Sequence, residues 1–510
     1  MTTPADGTPP REHSREQPGA LRRLLRHTSN YSIGTLLITA ASMISFPIFT
    51  RTFSVAEYGM LGLVNATLGF LVGVGKLGLQ QSVVRFYAEI ESGKRPGDRR
   101  GFFSTVLFGM LGVGAVASVL SALTFVLLPA RWWGGNGIEY LIAAAAPLVL
   151  VRVLDSAMLN LLRAEQRSAF YSAYTVIRKY LGLALILAVL FVVSRSLWGF
   201  FIATMVSEAL ALAYVVLLYA RKRIFQPSAF SPQLFLAMLG FGLPLLASEL
   251  SSLLLSMGGR YIINFELGAH ALGSYLAAYN FCDYLQSVLT GSFSQAVVPM
   301  YLRIWESQGR EKTEIFLQQA LRYYLMLALP VVAGMAAVAP ALLRLLASDR
   351  YAVSTPLFVY IVSGMLLAGG SPIFSAGIYI RKMTRVVMYT VFATTILNLT
   401  LTALLTRTMG IEGAALASLS GLCLYALMTG FLGRGSVKLS MPWVELLHFG
   451  GLSVLMYLAV REIQAPQLAV RVVEQIAAGA LLYGALILAT DRGVRSLVAR
   501  FVKQRFPGIQ

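Results

Sequence analysis

The sequence predicts an all-α polytopic membrane protein with about 14 transmembrane helices. Of its 510 residues, 57% are hydrophobic and only 13% are charged, whereas a soluble domain carries about 25% charged residues. The apolar residues also fall in runs of about 20, the length that crosses the hydrocarbon core of a bilayer. Because lipid offers no hydrogen-bond partner to the backbone, each run is expected to form a helix.

Fourteen apolar segments are long enough to span a bilayer, and short polar loops separate them. None of these loops is long enough to hold a separate folded domain. In chain order, the segments lie near residues 31–50, 59–79, 102–128, 139–161, 171–193, 198–219, 234–257, 273–298, 323–348, 356–379, 386–406, 411–433, 442–460 and 470–490.

Arginine and lysine residues predict the orientation of these segments. Alternate loops, together with the two terminal segments, carry about four times as many cationic side chains as the loops on the opposite side. Cytoplasmic loops of membrane proteins are enriched in Arg and Lys. We therefore expect both termini in the cytoplasm, with Arg131 and Arg350 outside.

Composition and motifs exclude several classes of function. The formal net charge is +19, but the cations are spread over loops and form no compact basic domain, so nucleic acid is not an expected partner. The sequence has no Gly-rich phosphate loop, His-Glu-x-x-His motif or Ser-His-Asp grouping, so we do not expect an enzyme. Cys282 and Cys423 lie in apolar runs and are interpreted as packing residues. No metal or other cofactor is predicted, and the polar, Pro-rich residues 1–17 are not expected to be a cleavable signal.

The sequence contains an internal duplication. Gln-Ser-Val-Val-Arg-Phe-Tyr at 81–87 follows the second apolar segment, and Gln-Ala-Val-Val-Pro-Met-Tyr at 295–301 follows the eighth, 214 positions later. An Arg-x3-Arg-x3-Tyr pattern that begins at Arg163 before the fifth segment recurs at Arg381 before the eleventh, 218 positions later. A shift of six spans is even, so the two copies face the same way and are related by an axis along the membrane normal.

The duplication predicts two parallel six-helix lobes with a cleft between them, an arrangement suited to alternating access. The expected units are a disordered basic cytoplasmic tail (1–28), an N-lobe with spans 1–6 (29–222), a C-lobe with spans 7–12 (223–435), an extra helix pair with spans 13–14 (436–490) and a basic cytoplasmic tail (491–510).

Two groups of motifs resemble the bacterial polysaccharide flippases of the multidrug/oligosaccharidyl-lipid/polysaccharide (MOP) exporter superfamily. The first is Pro47-x-x-Thr50-Arg51-x5-Glu57-Tyr58-Gly59. The second, in the other half, comprises Gly242-Leu-Pro244, Arg260-Tyr-Ile-Ile263, Leu267-Gly268 and Gly273-x-Tyr275. Many relatives place an Asp before the arginine at Arg260, where this chain has Gly259. The resemblance implies a MOP flippase (MATE-like) fold in a bacterial cytoplasmic (inner) membrane, and fourteen spans are typical of its polysaccharide flippases.

The resemblance also implies a function. A protein of this kind flips polyprenyl-diphosphate-linked oligosaccharide units from the cytoplasmic to the outer leaflet for exopolysaccharide, capsule or O-antigen (lipopolysaccharide) assembly. Its expected partners are the lipid-linked oligosaccharide and membrane lipids, with a polysaccharide polymerase and export machinery as further candidates. The alternatives are a lipid II flippase, a cation-coupled drug or metabolite antiporter with a more acidic and aromatic cavity, and a non-transporting scaffold. The coupling ion is left open between H⁺ and Na⁺.

Charged residues within or near the spans are the candidate site residues, because a charge in hydrocarbon is costly and usually faces a polar cavity. An arginine fork can hold two oxygens of a diphosphate, so we expect a cavity lined by Arg152, Arg178 and Arg260 to hold the headgroup. The candidates for substrate binding are Arg152, Arg178, Arg260, Lys76, Lys179 and Arg51, and those for ion coupling are Asp155, Glu208, Glu249 and Asp283.

Several of these charges also have plainer interpretations. Lys76 lies near the end of a span, where its side chain can reach the interface. Arg152 and Asp155 are three residues apart on one helix face, a spacing that predicts a local ion pair. Arg178 and Lys179 are adjacent and point about 100° apart on a helix, so at most one is expected to face the cavity centre.

Overall fold

The computed structural model describes residues 18–127 and 137–496, with the backbone alone for residues 18–28, 288–292, 294–296 and 384. The expectations for residues 1–17, for Arg131 and for residues 497–510 lie outside the described residues. All regular structure in the described part of the chain is helical. The α-helices are α1 (Pro18–Thr52), α2 (Val55–Gly75), α3 (Leu79–Glu91), α4 (Arg99–Leu127), α5 (Ile138–Ala145), α6 (Pro147–Ala164), α7 (Ser168–Ala188), α8 (Leu197–Arg221), α9 (Pro232–Leu346), α10 (Thr355–Phe374), α11 (Ala376–Ile380), α12 (Thr384–Gly433), α13 (Trp443–Arg461) and α14 (Leu468–Thr490).

The described residues form 12 continuous helical segments that are long and apolar enough to cross a membrane, which confirms an all-α, multi-pass membrane protein. Two helices contain glycines with non-helical backbone angles: Gly268 (φ 84°) and Gly309 (φ 78°) in α9, and Gly410 (φ 62°) in α12. Two helices meet at each of these glycines, and each lies between two of the predicted spans. The count of fourteen spans stays a prediction.

The start of α2 explains the first family-like motif. Ser54 and Glu57 form a capping box: the Ser54 hydroxyl accepts from the Glu57 backbone N–H (3.2 Å), and the Glu57 carboxylate accepts from the Ser54 backbone N–H (2.8 Å). Such a box satisfies N–H groups that the first helical turn leaves unpaired. The Tyr58 hydroxyl accepts from the Asn280 side-chain amide of α9 (3.0 Å). The motif therefore begins α2 and connects it to α9.

Glycines allow α2 and α9 to cross closely. A Cβ at Gly59 would overlap the carbonyl oxygen of Ala269, and a Cβ at Gly273 would overlap the carbonyl oxygen of Val55. Gly59 and Gly273 are 214 positions apart, as are Val55 and Ala269. The two copies of the duplication thus contact each other through equivalent residues, as expected around a two-fold pseudo-axis.

A second close approach lies just beyond the other end of α2. Gly78 has φ +70°, a conformation that favours glycine, and a Cβ there would overlap the carbonyl oxygen of Gly242 in α9. The Ser82 hydroxyl of α3 donates to the Met238 carbonyl of α9 (2.7 Å). The first and second halves of the chain are therefore in contact at both ends of α2.

The last two helices pack on α9 through a small core of their own. Leu452, Met456 and Val460 of α13 and Tyr483 and Ile487 of α14 are buried together. The Tyr483 hydroxyl donates to the Met326 carbonyl of α9 (2.8 Å). This separate cluster fits the interpretation of spans 13 and 14 as an addition, while the division into lobes stays a prediction.

Candidate substrate cavities

The charged cavity, a space of about 380 Å³, lies among α1, α2, α6, α7 and α8. This volume lies within the range of small-molecule sites, about 300–1,000 Å³. Hydroxyl and amide groups from Ser45, Asn65 and Thr204 share the wall with apolar side chains. The charged lining residues are Arg152, Arg178, Lys179 and Glu208.

Arg152 of α6 is held by Glu208 of α8. Its Nε and Nη2 atoms donate to the two carboxylate oxygens of Glu208 at 2.9 and 3.0 Å, a bidentate geometry. The predicted local pair between Arg152 and Asp155 is therefore wrong. The packing of α8 against α6 brings a carboxylate to the face of Arg152 that the sequence spacing does not reveal.

Asp155 instead pairs with Arg178 of α7. It also accepts a hydrogen bond from the Tyr174 hydroxyl (2.5 Å), and its side chain is buried. A buried carboxylate needs a cation and further hydrogen bonds to offset its lost hydration. Asp155 has both, so it anchors Arg178 at the edge of the cavity.

Lys179 lines the same cavity as Arg178. The cavity-facing positions of α7 are Thr175, Arg178, Lys179, Gly182, Leu183 and Ile186. Their spacing is that of a broad helical stripe, which includes adjacent residues at its two edges. No carboxylate of the described residues lies within ion-pair distance of Lys179. With two of three cations paired, one net positive charge remains at the cavity.

The tyrosine cavity, a second space of about 350 Å³, lies among α9, α10 and α12. Four tyrosines line it: Tyr275, Tyr279, Tyr360 and Tyr425. Tyr275 and Tyr279 stack at 5.9 Å, and the Arg260 guanidinium lies 5.6 Å from the Tyr279 ring centroid. Arg260 is the one charged residue in this wall among those described. The expectation of a single cavity with Arg152, Arg178 and Arg260 is therefore wrong.

The two cavities occupy equivalent places in the duplication. Five residues of the charged cavity have counterparts 214 positions later that line the tyrosine cavity. Such agreement indicates one ancestral cavity that has diverged in chemistry. The pairs are Ile38 and Ser252, Ser45 and Gly259, Asn65 and Tyr279, Thr204 and Ser418, and Glu208 and Leu422.

The four remaining candidate residues line neither cavity. Arg51 is exposed and donates from Nη2 to the Leu345 carbonyl (2.8 Å), while Lys76 is half-buried just after α2. Glu249 accepts a hydrogen bond from the Gln80 side chain of α3. Asp283 is exposed and has no ion pair with the other described residues. The structure thus separates the ten candidates into the charged network, Arg260 and these four.

Sequence reasoning missed Tyr174 and the tyrosine cavity. Tyr174 lies four residues before Arg178, a spacing that places both on one helix face, and this was the available signal. For the tyrosine cavity, the 214-residue offset applied to Asn65 and Glu208 would have located Tyr279 and Leu422.

Comparisons with known proteins agree with this architecture. The family described as polysaccharide biosynthesis protein matches residues 24–305. The chain is 22% identical over 479 residues to the succinoglycan biosynthesis transport protein ExoT of Rhizobium meliloti (strain 1021), covering 91% of this chain and 92% of that protein. The fold is similar to that of the lipid II flippase MurJ in an inward closed conformation, with a TM-score of 0.74, 14% identity and coverage of 91% of this chain and 99% of that chain. An inward-facing multidrug resistance MATE family transporter of the MOP superfamily gives a TM-score of 0.64, 17% identity and coverage of 79% and 97%.

Proposed function

This chain belongs to the polysaccharide biosynthesis protein family, and from that premise we propose that it flips polyprenyl-diphosphate-linked oligosaccharides from the cytoplasmic to the outer leaflet of a bacterial inner membrane. It is a multi-pass membrane protein with the fold of MOP transporters. The relative from Rhizobium is named for transport in succinoglycan biosynthesis. A lipid-linked oligosaccharide is the substrate class that joins a membrane transporter to polysaccharide synthesis.

The single observation that carries the proposal is the charged cavity. Two arginines and a lysine converge there within otherwise apolar helices. A diphosphate offers several anionic oxygens, which suit the bidentate fork of an arginine. The headgroup enters this cavity while the polyprenyl tail remains in the bilayer.

Arg152 and Arg178 already hold carboxylates, so the headgroup binds by exchange. Phosphate oxygens replace those of Glu208 and Asp155 on the two guanidinium groups. Glu208 and Asp155 are then left without their cations, and they take the two guanidinium groups back when the headgroup leaves. We propose H⁺ or Na⁺ as the coupling ion. A polymerase and export machinery at the outer leaflet then take the flipped units.

A deletion strain tests the proposal. We expect surface polysaccharide to disappear while lipid-linked repeat units accumulate in the cytoplasmic leaflet, and a plasmid copy should restore both. A protonophore should stop flipping in the complemented strain if H⁺ is the coupling ion. Normal surface polymer together with lost resistance to cationic drugs would overturn the proposal in favour of an antiporter.

A further inference from the structure

We propose that the tyrosine cavity is a second substrate subsite, which binds a single sugar residue that carries a carboxylate. This inference rests on the proposed function, since it assigns to the transported glycan a contact separate from that of the diphosphate. The charged cavity would hold the headgroup, and the tyrosine cavity would select the sugar.

The lining chemistry fits a sugar ring. Sugars present C–H faces that pack on aromatic rings and hydroxyls that bond to amides, phenols and other hydroxyls. Tyr275, Tyr279, Tyr360 and Tyr425 supply rings with polar tips, and Ser252, Ser256, Ser371 and Ser418 supply hydroxyls. Tyrosine suits such contacts because it combines a flat apolar body with a hydrogen-bonding group.

The size of the cavity sets the extent of the ligand. Its volume of about 350 Å³ lies at the lower end of the range for small-molecule sites, about 300–1,000 Å³. It therefore has room for a single sugar ring with a substituent and not for a whole lipid-linked repeat unit.

Arg260 sets the charge of the ligand. It makes a cation–π contact with Tyr279 and has no ion pair within the described residues. Asp283 is close enough to interact with it electrostatically but lies beyond ion-pair distance. A guanidinium that pairs with no carboxylate of the described residues can form a bidentate pair with one carboxylate of a ligand. A diphosphate carries more negative charge and is better matched by the several cations of the charged cavity.

Asn398 adds a buried amide to the wall of the cavity. The residue is 1% exposed, and its Nδ2 atom has no hydrogen-bond partner in the described part of the chain. That atom packs toward Gly421, since a Cβ added there would lie 3.3 Å from it, so it does not face the cavity. The contacts proposed for the ligand are therefore those of Arg260, the tyrosines and the serines.

Binding to the purified full-length protein in nanodiscs tests the inference. The probes are methyl glucuronide and methyl glucoside, which differ by the carboxylate, with dissociation constants taken from saturation-transfer NMR titrations. We expect glucuronide to bind more tightly than glucoside. Arg260→Gln should weaken glucuronide binding by about tenfold or more and leave glucoside binding unchanged. Arg461→Gln, at an exposed arginine outside both cavities, should leave both unchanged.

A second variant covers the case in which Arg260→Gln fails to fold. Gly259→Asp adds a carboxylate beside Arg260 in the wall, where an added Cβ meets only Thr402 at 3.7 Å, so it should weaken glucuronide binding and not glucoside binding. Equal affinity for the two sugars, no detectable binding, or equal losses in Arg260→Gln and Arg461→Gln would each overturn the inference. Those results leave the deletion experiment untouched, so failure of the subsite and failure of the flippase proposal are distinguishable.

Discussion

The charged cavity and the tyrosine cavity occupy equivalent places in the two copies of a duplication, yet their chemistry differs. Position by position, Glu208 corresponds to Leu422 and Asn65 to Tyr279. The first cavity has three cations and two carboxylates at or beside its wall, while the second has one cation among tyrosines. The difference shows that the helical frame was kept while the lining of each copy was free to change.

Symmetry was kept at the crossing of α2 and α9. Gly59 and Gly273 are equivalent glycines, and each lies against the backbone of the other copy. A side chain at either position would separate α2 from α9. Contact between backbones leaves little freedom for substitution, whereas a cavity wall can exchange one side chain for another. Divergence therefore accumulated in the cavities and not at the crossing.

Arg152→Gln is expected to have the largest effect on export, and it tests the difference between the two cavities. It leaves Glu208 without its cation and removes the fork proposed for the diphosphate. Losing a bidentate contact to an anion costs about 1.5–3 kcal/mol, so surface polymer should fall by about tenfold or more. Arg260→Gln in the tyrosine cavity should lower export less. Surface glycan and membrane-inserted protein are measured in both strains. An equal loss of surface glycan would contradict the different roles proposed for the two cavities.

Gly273→Val tests the crossing that joins the two copies. Its β-branched side chain overlaps the Val55 carbonyl, so the closed contact between α2 and α9 should open. Cys282 is buried in α9, and its labelling by a maleimide in a Cys423→Ser background should rise several-fold. Gly112→Ala is the matched control, because a Cβ at Gly112 meets nothing within 4 Å. Unchanged labelling of Cys282 would contradict the close crossing.

Glu208→Leu gives the charged cavity the residue found at Leu422. It releases Arg152, so inorganic pyrophosphate should bind a few-fold more tightly to the purified protein. Transport should nevertheless fall, because the carboxylate that takes Arg152 back from the headgroup is lost. Affinity by calorimetry and export in cells are compared. Tighter binding with full export would remove Glu208 from the release step.

The smallest effect is expected for the stability of the fold, at the ion pair between Asp491 and Arg322, which lies outside both cavities. Burial alone would raise the pKa of Asp491, but the Val494 backbone N–H and the Arg322 guanidinium hold that pKa below its usual range. Such a carboxyl stabilises the fold above its unfolded-state pKa of about 4, and the contribution fades as the pH falls through the folded value. Asp491→Asn should therefore lower stability at pH 7 by about 1 kcal/mol or less. Thermal unfolding measures this, and a loss that persists in strong acid would contradict the ionic origin.

The fold was largely predictable from the sequence because its determinants are local. Runs of apolar residues predict membrane-spanning helices, and a repeated motif indicates a duplication. Even the breaks inside α9 and α12 lie at Gly268, Gly309 and Gly410, between predicted spans. In lipid, the backbone N–H and C=O groups of a segment must form hydrogen bonds within that segment, so each helix depends on its own sequence.

The ion-pair partners were not predictable in the same way. Spacing on α6 favoured a pair between Arg152 and Asp155, but packing gives them partners on α8 and α7. A partner on another helix depends on how the helices rotate and cross, which residue spacing does not encode. The separate position of Arg260 was missed for the same reason, since its neighbours on α10 and α12 are distant in sequence.

The central claim is that Arg152 engages the diphosphate and does more than hold Glu208. The test is the double variant Arg152→Gln/Glu208→Gln, with flipping of a fluorescent polyprenyl-diphosphate-linked sugar in proteoliposomes and binding of inorganic pyrophosphate as the two measurements. Binding separates the two residues, because Glu208→Leu alone should keep it. The double variant removes the ion pair without leaving a charge unpaired. If Arg152 served only to hold Glu208, the variant should flip the lipid at the wild-type rate. The account predicts that the double variant inserts into the membrane and melts as the wild type does, but binds pyrophosphate several-fold more weakly and does not flip the lipid. Flipping at the wild-type rate would contradict it.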